Sequence, residues 1–315
     1  MRVLITGGFG FIGGRVAQYL QQAGRQVVLG TRNPAYSPAW WPQAEVVTTN
    51  WHDVHALAQI CNGVDVVIQA AGMNAQGCAA EPVTALEFNG LATTRLVAAA
   101  TRAGVKRLIY LSTAHVYASP LIGNITEDTC PRNLHPYATS HLAGENAVLS
   151  ANLRGEIEGI VLRLSNAFGA PAHRDVNCWM LLVNDLCWQA VMTGKLVLRS
   201  NGLQQRDFIT LQDTARCVAH FVKLPFANCS DGLFNLGGER ARSVYEMTQL
   251  VAARCQMVLG FTPPIERVKP PPEGHAIPLA YGTAKLKSTG FSLQSRFEDE
   301  IDATLSLCQM AFGKF

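Results

Sequence analysis

The stretch RVLITGGFGFIGG, Arg2–Gly14, decides the fold. A run of branched aliphatic residues meets Gly7, Gly10 and Gly13 at three-residue spacing, and a helical pattern, VAQYLQQAG, follows. A tight turn needs glycine at its first position. Close approach of a pyrophosphate to the backbone needs one at the second, and close helix-to-strand packing needs one at the third. The first amides of a helix have no intrahelical acceptor, so Phe11 and Ile12, just past the turn, offer N–H groups to an anion. Glycine clusters by themselves are common turns; the strand before and the helix after make this one a dinucleotide-binding turn.

Outward from this turn, short apolar runs (QVVLGTR, VDVVIQAAG, VKRLIYLSTA) alternate with helical patterns (VHALAQICNG, TTRLVAAATRAG). Strands with no polar alternation are buried on both faces, and helices between them imply right-handed crossovers and a parallel sheet. The class is therefore α/β, a Rossmann-type doubly wound sheet. Gly24, Gly63 and Gly104 each stand just past a helical pattern, where they stop it. GIVLRLSNAFG adds a sixth strand after a helix that begins near Tyr137. Beyond Phe168 the regularity breaks into a loop, a helical pattern over 178–193, a short strand KLVLRS and the Pro-rich PPIERVKPPPEGHAIP, which reads equally as linker or as substrate lining. The expected organisation is a dinucleotide-binding domain over 1–167, with a returning segment about 206–236, and a mainly substrate-binding domain over 168–315.

Composition narrows the partners. The net charge of +3 is spread along the chain with no basic run, which argues against nucleic acid. No apolar run approaches the ~18 residues of a membrane span. Nine cysteines without a C-x-x-C pair fit free thiols in a reducing cytoplasm better than disulfides or a metal site. At the end of the second strand, LGTRN has no acid to bond ribose hydroxyls; Thr31 and Arg32 suit a 2′-phosphate, so NADP is expected, with NAD as the alternative. The small run Ala70-Ala71-Gly72 lets a cofactor lie close over the sheet.

TGGFGFIG, VDVVIQAAG, LIYLSTAHVY, PYATSH, LRLSNAFGAP and RDFITLQD, in this order over residues 1–240, resemble the extended short-chain dehydrogenase/reductase superfamily and its nucleotide-sugar epimerase and reductase branch. The resemblance implies an NAD(P)-dependent oxidoreductase or epimerase acting on a nucleoside-diphosphate sugar by hydride transfer, at C4. Such chemistry needs a general acid/base at the reacting oxygen. By resemblance Tyr137 is that group and Thr113 its hydroxyl partner, with Ser112 in reserve. The family lysine that lowers the phenol's pKa and holds the nicotinamide ribose falls at His141, one turn on from Tyr137. An imidazole reaches less far and is only partly protonated at neutral pH, so a slower or more pH-dependent site is expected. The alternative is a dinucleotide-binding regulatory protein silenced by that substitution.

The resemblance also places Asn50, Trp51 and Leu111 on the cofactor side, Asp53 near adenine, and Asn89 bracing the sheet beside the tyrosine. His115, Asn166, Asn177 and Arg206 fall on the substrate side, the last two on its diphosphate. Ala114 and His115 lack the acid pair of the family's 4,6-dehydratases, which leaves epimerisation or ketone reduction. Family members often pair through the helices around the tyrosine, so a homodimer is expected, with the stripe in TTRLVAAATRAG as one candidate surface.

Overall fold

The computed structural model describes residues 1–33, 37–269 and 277–313. Part of the Pro-rich segment, 270–276, lies outside the described residues. Seven parallel strands form the central sheet: β1 (Arg2–Thr6), β2 (Gln26–Thr31), β3 (Glu45–Thr48), β4 (Val66–Gln69), β5 (Arg107–Thr113), β6 (Glu158–Leu164) and β7 (Leu233–Leu236). Their order is β7-β6-β5-β4-β1-β2-β3. The chain runs outward from β1 to β3, then crosses back to place β4 on the other side of β1. That reversal opens a crevice past the carboxyl ends of β1 and β4, where this topology takes ligands.

Burial explains the unbroken apolar runs. Val3, Ile5, Leu29, Ile68, Ile109 and Leu162 pack on one face with the helices Phe11–Gln22 and Leu211–Lys223. Leu4, Val28, Val67, Leu108 and Val161 point to the other face. There they meet the helices Val54–Cys61, Ala92–Arg102 and Pro136–Leu153. Successive strand residues face opposite ways, so a strand covered on both sides must be apolar throughout. Truncating a fully buried residue such as Leu4 to alanine would cost about 2–5 kcal/mol. Gly24, Gly63 and Gly104 all have positive φ (72°, 69° and 73°), the left-handed conformation that ends a helix without steric penalty.

The stripe on Ala92–Arg102 is spent inside: Leu96, Val97, Ala99 and Ala100 lie in the core against the sheet, because one face of that helix must cover it. The helix expected over 178–193 is shorter, Leu182–Thr193. Before it the chain is held in a turn by Trp179 Nε1 donating to the Arg174 carbonyl (2.9 Å), which leaves Met180 and Leu181 partly exposed. A third cluster, containing Phe168, Leu186, Phe208, Met247 and Ile301, sits beyond the sheet. Arg15 on the first helix pairs with Glu300 on the last at 2.7 Å, both largely buried, and ties the phosphate turn's helix to the C-terminal region. All nine cysteines are free, and no described helix is long and apolar enough to cross a membrane.

Candidate active site

The crevice at the β1/β4 reversal is a cleft of about 820 Å3. Gly7 forms one wall. Its φ is +68°, and a Cβ there would lie 2.8 Å from the backbone of Ala71. A Cβ on Gly13 would lie 2.2 Å from the Gly7 carbonyl, so the helix could not seat on the turn. Gly10 is the N-cap of that helix, which has no side-chain cap and no acid in its first turn. Its amide end, with Phe11 and Ile12, therefore faces the cleft ready for an anion. These close backbone approaches fit a dinucleotide turn: a side chain at Gly7 or Gly13 would push apart the backbone that shapes it.

Thr31 and Arg32 line the cleft at the end of β2. The Arg32 guanidinium lies 5.1 Å over the Phe88 ring, and Trp51 meets the same ring edge-on at 5.6 Å. Trp51 is expected on the cofactor side; Phe88 escaped the sequence reading, because it is carried in by a π-helical turn, Leu86–Leu91, that no periodicity announces. Asn50 lies between Thr49 and Trp51, which line the cleft, and its side chain accepts from the His52 amide. Asp53 caps its helix by accepting from His55 and Ala56. Asn89 stands where a bracing residue is expected. Its Oδ1 accepts from the Met73 amide (2.8 Å) and its Nδ2 donates to Ser140 Oγ (3.0 Å), so it braces the floor formed by Ala70, Ala71 and Gly72.

The reactive pair comes from one helix. Pro136 opens it at a position where a missing N–H costs nothing, and His135 caps it by accepting from the Tyr137 amide at 3.1 Å. Tyr137 and His141 meet edge to face, ring centroids 4.6 Å apart, and both line the cleft with Leu111 and Thr113. The Thr113 side chain beside the Tyr137 phenol favours its ionised form, but burial outweighs this and holds the phenol above its ordinary pKa of 10.0. Burial also depresses His141, to about 4. The expectation of a partly protonated imidazole is corrected: at neutral pH His141 is uncharged, because nothing in its surroundings repays the desolvation of a cation. Ser112 is no reserve either. Its hydroxyl donates to Glu145, which is buried in an ion pair with Arg163 (2.7 Å).

On the far side, Asn166 lines the cleft while its amide donates to the Asp207 carbonyl (2.9 Å), and Asn177 stands exposed at the rim. Arg206 bonds the Gln204 side chain at 3.0 Å, and among the described residues no carboxylate pairs with it. Burial pulls its pKa down, and its charge adds to burial in lowering that of His115. The sequence leaves open a pairing of Arg206 with Asp207 or Asp213; instead Asp213 pairs with Arg216 and Asp207 accepts from the Gly238 amide (2.7 Å). Arg206 is thus a guanidinium in the cleft with its charge uncompensated, an arrangement suited to phosphate. Met180, Leu181 and Phe208 supply apolar lining that the sequence did not reveal.

The family model "NAD dependent epimerase/dehydratase family" matches residues 3–237. A dTDP-6-deoxy-L-talose 4-dehydrogenase (NAD(P)(+)) of Kitasatospora kifunensis is 31% identical over 69% of this chain and 68% of its own. A UDP-glucose 4-epimerase of Neisseria meningitidis serogroup C is 29% identical over 85% of each. Among solved structures, the UDP-glucose 4-epimerase of Thermus thermophilus in complex with NAD has the same fold, with a TM-score of 0.81, 22% identity and coverage of 99% of this chain and 100% of that one.

Proposed function

The chain belongs to the NAD-dependent epimerase/dehydratase family, and from that premise we propose that it acts on a nucleoside-diphosphate sugar by moving hydride between a nicotinamide and a sugar carbon, C4. One observation carries the reading. The Tyr137 phenol, with Thr113 beside it, stands in the same cleft as the glycine turn and the uncompensated Arg206. A nicotinamide bound in that cleft would take up and return the hydride. Tyr137 holds the proton exchanged at the sugar oxygen, Thr113 orients it, and Arg206 and Asn177 hold the diphosphate. His115 borders the sugar as a neutral polar group. Ala114 and His115 offer no acid pair for dehydration, which leaves epimerase or 4-ketoreductase.

The cofactor is NAD(P). Thr31 and Arg32, without an acid beside them, would accept the 2′-phosphate of NADP, and the relative named for NAD(P)(+) supports that tolerance. Residues 168–315 mainly serve the substrate, through Asn177, Met180 and Arg206. A homodimer is part of the proposal, with Val83, Leu86 and Leu91 as exposed apolar residues on the segment preceding the tyrosine helix. A silent dinucleotide-binding regulator is the second reading, and the neutral His141 is the observation on its side.

The test is incubation of the purified protein with UDP-glucose, UDP-N-acetylglucosamine or dTDP-4-keto-6-deoxyglucose, with NAD or NADPH. An epimerase converts the sugar without net change in dinucleotide; a reductase consumes NADPH. Binding of dinucleotide with no turnover of any of the three, and turnover appearing in His141→Lys, would favour the silent reading.

A further inference from the structure

Behind His141 the cleft floor hides a line of side chains that the proposed chemistry does not use. Thr6 on β1 donates its hydroxyl to Gln69 Oε1 on β4. Gln69 Nε2 donates to Thr93 Oγ1 at 3.0 Å, and the Thr93 side chain adjoins the Tyr110 phenol. The Tyr110 oxygen lies 2.9 Å from His141 Nδ1. None of the five is more than 6% exposed. The middle link is consistent with one direction. An amide nitrogen can only donate, so Thr93 Oγ1 accepts there and keeps its own proton to offer to Tyr110, which leaves the phenol proton available to Nδ1.

We propose that Tyr110, oriented through Thr93 and Gln69, is a positioning residue that locks His141 as the neutral Nε2–H tautomer, a hydrogen-bond donor aimed at the cofactor cleft. The Cε1–Nε2 edge lies 3.7–3.8 Å from where a Cβ on Gly72, a residue lining the cleft, would be. The tautomer follows from the phenol. A neutral ring that accepts at Nδ1 carries its hydrogen on Nε2. Burial holds the Tyr110 phenol well above its ordinary pKa, and the Glu145 charge adds to this, so its proton is always there to give. The other titratable groups nearby, Tyr137 and Cys78, are neutral, and Glu145 is tied to Arg163 and Ser112.

Gly144 is an independent sign that the pairing is built in. It lies mid-helix, where glycine is destabilising by roughly 0.5–1 kcal/mol relative to alanine. A Cβ there would stand 2.8 Å from the Tyr110 hydroxyl oxygen, and 2.8 Å from the Asn89 carbonyl. The glycine makes room for the phenol to reach across the helix. This replaces the family's charged group with an uncharged donor: the ribose can still be held, while no cation is placed under Tyr137.

The proposal rests on the reading of this cleft as a dinucleotide site, and its test separates the two. Long-range 1H–15N correlation spectra of 15N-histidine-labelled protein, without cofactor, should show His141 with a bare Nδ1 and a protonated Nε2 throughout pH 5.5–8. In Tyr110→Phe the ring should become a mixture of tautomers, and NAD affinity should fall about fivefold, the loss of one well-placed hydrogen bond. Thr93→Val, which keeps the phenol in place but removes its orienting partner, should give a smaller change of the same kind. A wild-type His141 protonated on Nδ1, or a Tyr110→Phe spectrum identical to wild type, overturns the proposal. If the wild type binds no dinucleotide at all, the reading of the cleft fails while the tautomer result stands by itself.

Discussion

Replacing His141 with lysine would put a cation where the protein has none. In the native protein desolvation of the Tyr137 phenol outweighs the help of the neighbouring Thr113 side chain, and the imidazole facing it is uncharged, so its pKa lies above 10.0. The phenol is then fully protonated at neutral pH. Protonation of a ketone oxygen is unaffected through this range, while removal of a carbinol proton, which needs phenolate, climbs about tenfold per pH unit until the raised pKa is reached. The two rings are 4.6 Å apart, edge to face. A charge about 5 Å from the phenol oxygen, at an effective dielectric of about 20, is worth about 3 kcal/mol, or about two pKa units. Burial of the new ammonium takes back part of this, so the expected drop is about one to two units. The assay is the chemical shift of 13Cζ-labelled tyrosine followed from pH 6 to 11, in the free protein and with NAD. A wild-type Tyr137 that titrates below pH 8 without cofactor would refute the reasoning. So would a lysine variant whose phenol titrates at or above the wild-type value while the lysine is charged.

Three other outcomes follow from the same geometry. Because His141 is neutral in the fold, with a pKa of about 4, and near 6.5 when unfolded, the unfolded chain binds the extra proton; stability should fall as pH drops from 6.5 towards 4, by up to about 3 kcal/mol. Urea midpoints across that range should show this slope shallower in His141→Gln, the remainder coming from His115 and His220, which burial also lowers. Gly7→Ala must hold a left-handed φ of +68° and drive a methyl into the Ala71 backbone, so isothermal titration should detect no dinucleotide binding and the melting temperature should fall. Arg206→Ala should weaken UDP binding by about tenfold to a hundredfold with little effect on NAD, since no described carboxylate depends on that guanidinium; equal loss of both ligands would contradict its assignment to the diphosphate.

Much of this was legible along the chain. Hydrophobic runs and glycine stops encode local backbone geometry, and local geometry repeats wherever the pattern does. That is why the parallel strands, the helix ends at Gly24, Gly63 and Gly104, and the turn at Gly7–Gly13 agree with their reading. The four-residue spacing of Tyr137 and His141 placed both on one helical face for the same reason. Phe88 was hidden because a π-helical turn shifts the register that a 3.6-residue pattern presumes.

The charge state and partners of the site were another matter. Ser112 and Thr113 are neighbours in β5, so their side chains point to opposite faces: one meets Glu145, the other Tyr137. His141 reads as a half-charged imidazole in isolation and is neutral in place, because the packed fold buries it and no charge offsets that burial. The amino-acid order by itself determined which backbone the chain adopts and which residue types reach the cleft, since both follow from near-neighbour sterics and hydrophobic period. Only the tertiary structure decided which of those groups carry charge, which hydroxyls are already committed and which donors remain free. Those properties depend on desolvation and on partners that meet only when the sheet and its helices close on one another.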